Sequence, residues 1–199
     1  MSKLLALVAP LLFASCALLA PQPDASRFYT LATLAAADPG GPTLAGVTLG
    51  VGPVRLPAYL DRAEIVTRVD PNQVDYLELA RWAEPLADDL AHVLAANFSV
   101  LLGPAQVRIF PWFDGTQPDW VVELDVRQCE RATDGTGLFA AAWVVRDGRR
   151  HTIVEHGEAA LREPAPPADT EASVAALSRA VGALSREVAT ALRRANGRG

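Results

Sequence analysis

Hydrophobic positions along the chain follow two periods. Leu86, Leu90, Val93, Leu94, Phe98 and Leu101 recur at spacings of three and four, which predicts a helix over residues 84–102 with one buried stripe. Gly103-Pro104 ends it. Val174, Leu177, Val181, Leu184, Val188 and Leu192 repeat the spacing in a longer closing helix, with Asp169 or Thr170 as its N-cap and Arg193 and Arg194 near its negative end. Asn196-Gly197 stops that helix. Elsewhere the pattern is that of strands. Residues 28–31 form a short one, and residues 47–56 alternate until Pro57, which cannot donate to a ladder. Residues 65–69 and 74–79 flank Asp70-Pro71-Asn72-Gln73 as a hairpin. Further strands are predicted at 107–110, 120–129, 138–146 and 152–161, and the proline-rich stretch 163–169 separates the last from the closing helix. Without a repeat or a second composition zone, the expectation is one domain over residues 27–197, a sheet covered by helices.

The first residues have a different pattern. Met1-Ser2-Lys3, the apolar run 4–14 and then Ser15-Cys16 have the three-part layout of an export signal. Extended through Ala20, the run reaches seventeen residues and contains Pro10, Ser15 and Cys16, short of the roughly 20 that a membrane span needs. Leu12-Phe13-Ala14-Ser15 before Cys16 is similar to a bacterial lipobox, with Phe13 in place of the usual leucine. The alternative is a secretory signal cut elsewhere, with Cys16 lost or left as a free thiol. On the lipobox reading, residues 1–15 are the signal peptide and Cys16 is acylated and becomes the N-terminus. Residues 16–26, with Pro21 and Pro23, are then a tether whose ten residues after the cysteine reach at most roughly 35 Å. Several acyl chains on one cysteine make such an attachment stable. Ala17 stands where an aspartate would resemble an inner-membrane retention signal, so the resemblance favours the periplasmic face of the outer membrane.

Charge narrows the partners. Eighteen basic residues, all arginine except Lys3, face 23 acidic ones for a net charge of -5, so nucleic acid is not an expected partner. With Cys16 acylated, Cys129 has no disulfide partner. Alternation over 120–129 places Cys129 on the more polar strand face, with Glu123, Asp125 and Arg127. Catalytic templates are absent: no phosphate-binding loop, nucleophile elbow, His-Glu-x-x-His or Cys-x-x-Cys occurs. His92 falls inside the first helix, as a core-edge or surface residue. His151 and His156 lie five apart on a predicted strand and so on opposite faces. Asp88 and Asp89, adjacent on a helix, diverge by about 100° and are expected on a solvated face rather than as an acid/base couple. No catalytic residue, metal site or cofactor is expected beyond the lipid on Cys16.

Two segments are unusual. Residues 52–62, Gly-Pro-Val-Arg-Leu-Pro-Ala-Tyr-Leu-Asp-Arg, put two prolines, an aromatic and two arginines at a strand end, and Arg81-Trp82-Ala83-Glu84-Pro85-Leu86 puts a tryptophan at a helix entrance. Aromatic and arginine residues together anchor protein interfaces; equally, Tyr59 and Trp82 can close the end of a core, with Pro85 in the first helical turn. These segments, with Phe28-Tyr29-Thr30-Leu31, Ile65-Val66-Thr67-Arg68, Phe110-Pro111, Ala142-Trp143 and Ser178-Arg179-Ala180…Leu184-Ser185 in that order, resemble the PqiC-type ABC-transport auxiliary lipoproteins over nearly the whole chain after Cys16. The resemblance implies a single α/β domain, a mixed sheet of about five or more strands flanked by two main helices, without catalytic activity. It also implies anchoring at the outer membrane and partnership with an MCE-domain protein and an ABC-type permease that move lipids or other apolar compounds between membranes. On that basis Pro57, Tyr59, Leu60, Arg62 and Trp82 are the expected surface for docking the partner, or for self-association into a homo-oligomer. The alternative role is a periplasmic lipid-binding carrier.

Overall fold

The computed structural model describes residues 24–35, 41–103, 106–113, 115 and 117–198; the signal segment, Cys16 and residues 17–23 lie outside them. Eight strands and two helices follow in the order β1 (Arg27–Tyr29), β2 (Thr48–Arg55), β3 (Glu64–Asp70), β4 (Gln73–Trp82), α1 (Leu86–Leu102), β5 (Gln106–Ile109), β6 (Trp120–Ala132), β7 (Gly137–Asp147), β8 (Ile153–Glu163) and α2 (Thr170–Asn196). The sheet is mixed, and β6 organises it. One edge of β6 pairs antiparallel with β7, which carries β8. Its other edge is shared: β2 runs parallel to it from Leu49–Trp120 to Arg55–Asp125, and β3 joins further along at Thr67–Arg131 and Arg68–Ala132. The sheet therefore forks, with β5 beyond β2 on one arm and β4 then β1 beyond β3 on the other.

Both helices cover the same face. Val122, Leu124 and Val126 of β6 and Phe139, Ala141, Trp143 and Val145 of β7 point into a core closed by Leu90, Leu94 and Phe98 of α1 and Val181, Leu184 and Val188 of α2. Trp143 packs over Gly157 of β8, where a Cβ would stand 2.6 Å from the indole, and its Nε1 donates to Glu187 of α2 at 3.3 Å. The two helices run parallel: Asn97 bonds Ser185, and one turn on, Arg193 reaches the Leu101 carbonyl. Asp169 caps α2 by accepting from the Ala172 N–H at 2.9 Å. Gly103 ends α1 at φ 76°, whereas Gly197 ends α2 at φ -76° and uses no glycine-specific conformation.

Four expectations are corrected. A register shift between Val126 and Gln128 inverts the alternation of β6, so Cys129 lies on the core face, 1% exposed, rather than the polar one. Burial pushes its thiol pKa far above the ordinary value. Asp89 is buried, while Asp88 stays in solvent. His151 precedes β8, in the turn, at φ 57°. The helix predicted from residue 84 begins at Leu86, with Pro85 as its N-cap residue rather than in its first turn, and Trp82 ends β4 before it.

Candidate functional site

The chain enters the fold at the end where both helices begin. β1 is an edge strand of three residues on β4. Beyond it, residues 30–35 form a strap across the helix layer, held by side chains through its backbone N–H groups. Leu31 donates to Asp89 Oδ2 at 2.9 Å, Ala32 to Ser178 Oγ at 2.9 Å and Leu34 to Asn97 Oδ1 at 2.7 Å. Asn97 donates in turn to Ser185 Oγ at 3.0 Å, joining the helices beneath the strap. Leu34 lies over Gly182, where a Cβ would come within 2.8 Å of it. Burial raises the Asp89 pKa, and the Leu31 N–H and His92 oppose that shift.

The segment between β2 and β3 fills the fork of the sheet. β2 leaves β6 at Asp125 and β3 joins it at Arg131, so the β6 edge between them lacks a strand partner. Tyr59 supplies one bond there, its hydroxyl donating to the Arg127 carbonyl at 2.8 Å. The Arg68 guanidinium stands 5.6 Å from the Tyr59 ring centre and grips the fully buried Glu130 carboxylate through two N–H donors at 2.8 and 3.0 Å. Desolvation, and then the Glu130 charge, push the Tyr59 pKa up to about 12. Pro57 accepts from the Leu60 N–H at 2.9 Å, and Leu60 is buried.

Of the five sequence-predicted contact residues, Arg62 and Trp82 meet in one cleft. The Ala63 carbonyl accepts from the Trp82 N–H at 2.7 Å, and Tyr29 accepts from Ala83 at 2.9 Å, locking β1, β4 and the loop together. A cleft of about 390 Å³ results, lined by Asp61, Arg62, Ala63, Trp82, Glu84 and Pro85. Arg62 stacks 3.9 Å from the centre of the Tyr76 ring, within 3.5 Å of Glu64, and its side chain remains 43% exposed. Trp82 is 4% exposed and contributes a wall rather than a projection. Pro57, Tyr59 and Leu60 do not line the cleft; they fix the loop that carries Arg62. Among the described residues no group of three His, Cys, Asp or Glu could hold a metal ion. A further basin, about 540 Å³, is of mixed character, lined by Arg68, Asp134 and Arg162 together with Val69, Pro71 and Leu138.

Of the side chains that build the clamp, Ser178 and Ser185 fall in the closing-helix segment of the resemblance, whereas Asp89 and Asn97 carry no motif. Their signal is positional: Asn97 lies four residues from both Val93 and Leu101, on the apolar stripe of α1, where a polar residue must find an internal partner.

The structure is a two-layer α/β module with a small, partly polar cleft beside its entering strand. The chain belongs to the family described as the ABC-type transport auxiliary lipoprotein component, which matches residues 29–189. Solved structures share the fold. An uncharacterized protein superposes with a TM-score of 0.70 at 19% identity, covering 84% of this chain and 98% of the other. Protein XCC0632 from Xanthomonas campestris superposes at 0.68 with 20% identity, covering 81% and 92%. No curated protein matches in sequence. No described helix is long and apolar enough to cross a membrane.

Proposed function

We propose that the protein is a non-catalytic docking component, acylated on Cys16 at the periplasmic face of the outer membrane and without other cofactor. It receives an MCE-domain protein that, with an ABC-type permease, carries lipids or other apolar compounds between membranes. The observation that carries the reading is the place of the Arg62–Trp82 cleft. It opens at the end of the domain where the tether enters, on a loop pinned by Tyr59, Leu60 and Pro57. A leash of roughly 35 Å keeps the domain close to its own membrane, so a transport path can use it only as the receiving end for an elongated partner.

The test is co-purification and photo-crosslinking of the acylated protein with its MCE partner. A photo-reactive residue at position 62 captures that partner, and Arg62→Glu abolishes co-purification while the fold is kept, the loss of the Tyr76 stacking and the Glu64 pair costing no more than about 1 kcal/mol at this half-exposed position. Undiminished co-purification of Arg62→Glu, with no crosslink from position 62, refutes the docking site. Mass spectrometry of the mature N-terminus tests the anchor separately; an unacylated residue 16 removes it.

A further inference from the structure

The far end of the domain differs in charge from the end the tether enters. About 40 Å away along the 27 residues of α2, Arg146, Arg149, Arg150, Arg193, Arg194 and Arg198 gather around Asp119, Glu123, Asp147 and Glu155. Six arginines against four carboxylates reverse the sign of a chain whose net charge is -5. Arg193 has an internal task, donating to the carbonyls of Leu101 at 2.6 Å and Pro42 at 3.0 Å. Arg149 and Arg150 have none. They sit in the turn between β7 and β8 with side chains 81% and 79% exposed, and their ion pairs with Asp119 and Asp147 hold little energy in so much water.

Beside them a groove of about 430 Å³ runs past Trp120 and Asn196, and a second hollow of about 270 Å³ shares Trp120, Asp147 and Arg150 with it and extends to Arg198. Exposed apolar side chains lie on the two segments that flank the cluster. Ile153 is 51% exposed at the start of β8. Phe113, 93% exposed, is on the loop into β6, whose Trp112 and Pro118 cover Gly50 and whose Pro118 carbonyl abuts Gly148, the neighbour of Arg149.

Forked cationic donors flanked by wetted aromatic and aliphatic tips match a phosphate-bearing apolar surface. We propose that this end of the domain lies against anionic phospholipid, with Arg149, Arg150 and Arg198 on headgroup phosphates and Phe113 and Ile153 at the acyl boundary. The negative net charge does not oppose this. Screening confines each charge to about 8 Å, so carboxylates at the opposite end, several such lengths away along α2, do not cancel the local arginines. For its geometry the inference rests on the lipid-anchored reading: a tether of roughly 35 Å is about as long as α2, so the long axis of the domain can lie along the bilayer with both ends touching it.

The test does not depend on acylation. The chain from residue 16 carrying Cys16→Ser is mixed with vesicles of equal phosphatidylglycerol and phosphatidylethanolamine, or of phosphatidylcholine alone, and sedimented. Binding to the anionic vesicles, weakening as salt rises, and none to phosphatidylcholine is expected. Each basic residue at an anionic surface contributes about fivefold, so R149Q/R150Q/R198Q weakens binding on the order of 100-fold with the circular dichroism unchanged. R127Q/R179Q, half-exposed arginines elsewhere, shifts it less than about twofold. Equal binding to both vesicle types, or full binding by the triple variant, overturns the proposal. So does absence of vesicle binding together with salt-sensitive loss of partner co-purification in the triple variant, which would assign the surface to an acidic protein.

Discussion

Replacing Asn97 by alanine tests whether the strap sets the effective length of the tether. Asn97 is fully buried, accepts from Leu34 and donates to Ser185, which itself donates to Val181 at 2.7 Å. Alanine removes both bonds, at about 1 kcal/mol each, and leaves the Leu34 N–H without a partner, for roughly 1–3 kcal/mol more if it stays shielded from water. The chain can avoid that second cost by lifting residues 30–35, so the loss concentrates in the strap and in the three-residue β1. The expected outcome is a drop of about 2–4 kcal/mol in the free energy of local opening. It is read as accelerated hydrogen exchange at the Leu31, Ala32 and Leu34 amides, with the α2 core amides less affected. Release of residues 27–35 would add roughly 30 Å to the leash, and limited proteolysis should then cut between β1 and residue 35. If the Leu34 amide exchanges as slowly in Asn97→Ala as in the native chain, the clamp is not what holds the strap.

Further substitutions separate the roles of buried polar groups. Asp89 has a raised pKa, so its folded form favours the proton; the stability this contributes is present below the unfolded carboxylate value near 4 and is lost as pH rises through the folded value. Asp89→Asn, which still accepts from Leu31, should therefore match the native chain at low pH and equal or exceed its stability at neutral pH, whereas Asp89→Ala is destabilised at both; urea titrations at the two pH values decide it. Arg68→Ala leaves the Glu130 carboxylate buried with its two charged donors gone and should cost about 3–5 kcal/mol in chemical denaturation, with much of that recovered by adding Glu130→Gln. Tyr59 ionises at about 12, so the stability linked to its proton is intact below its unfolded value near 10 and disappears as pH climbs through 12. Tyr59→Phe should flatten that alkaline limb and cost about 1 kcal/mol below it through the lost bond to Arg127.

Much of this architecture is legible in the pattern of the chain, because burial enforces period. The stripes of α1 and α2, the hairpin at Asp70–Gln73 and the four central strand regions lie where alternation and turn chemistry put them. What escapes is whatever depends on a partner distant in sequence. Cys129 changes face because β6 gains a bulge where two different strands share its edge, and nothing between Trp120 and Cys129 encodes that. Asp89 looks like a solvated helix residue until the strap, 58 positions earlier, donates to it. The short strand at 28–31 is anticipated, yet its pairing with the end of β4, which sets Tyr29 opposite Trp82, is not, because the two segments are some fifty residues apart. The arginine cluster is equally hidden, since it assembles only when the β7–β8 turn comes beside the end of α2.

The edge position of β1 also has a mechanical meaning. Any pull transmitted from a membrane-bound N-terminus reaches the protein through three residues hydrogen-bonded to β4 and three side-chain clamps on the following segment, before it reaches β6 or α2. Under load this periphery yields first and lengthens, as a sacrificial link does, while the forked sheet and its helices keep their shape and whatever they are holding stays held.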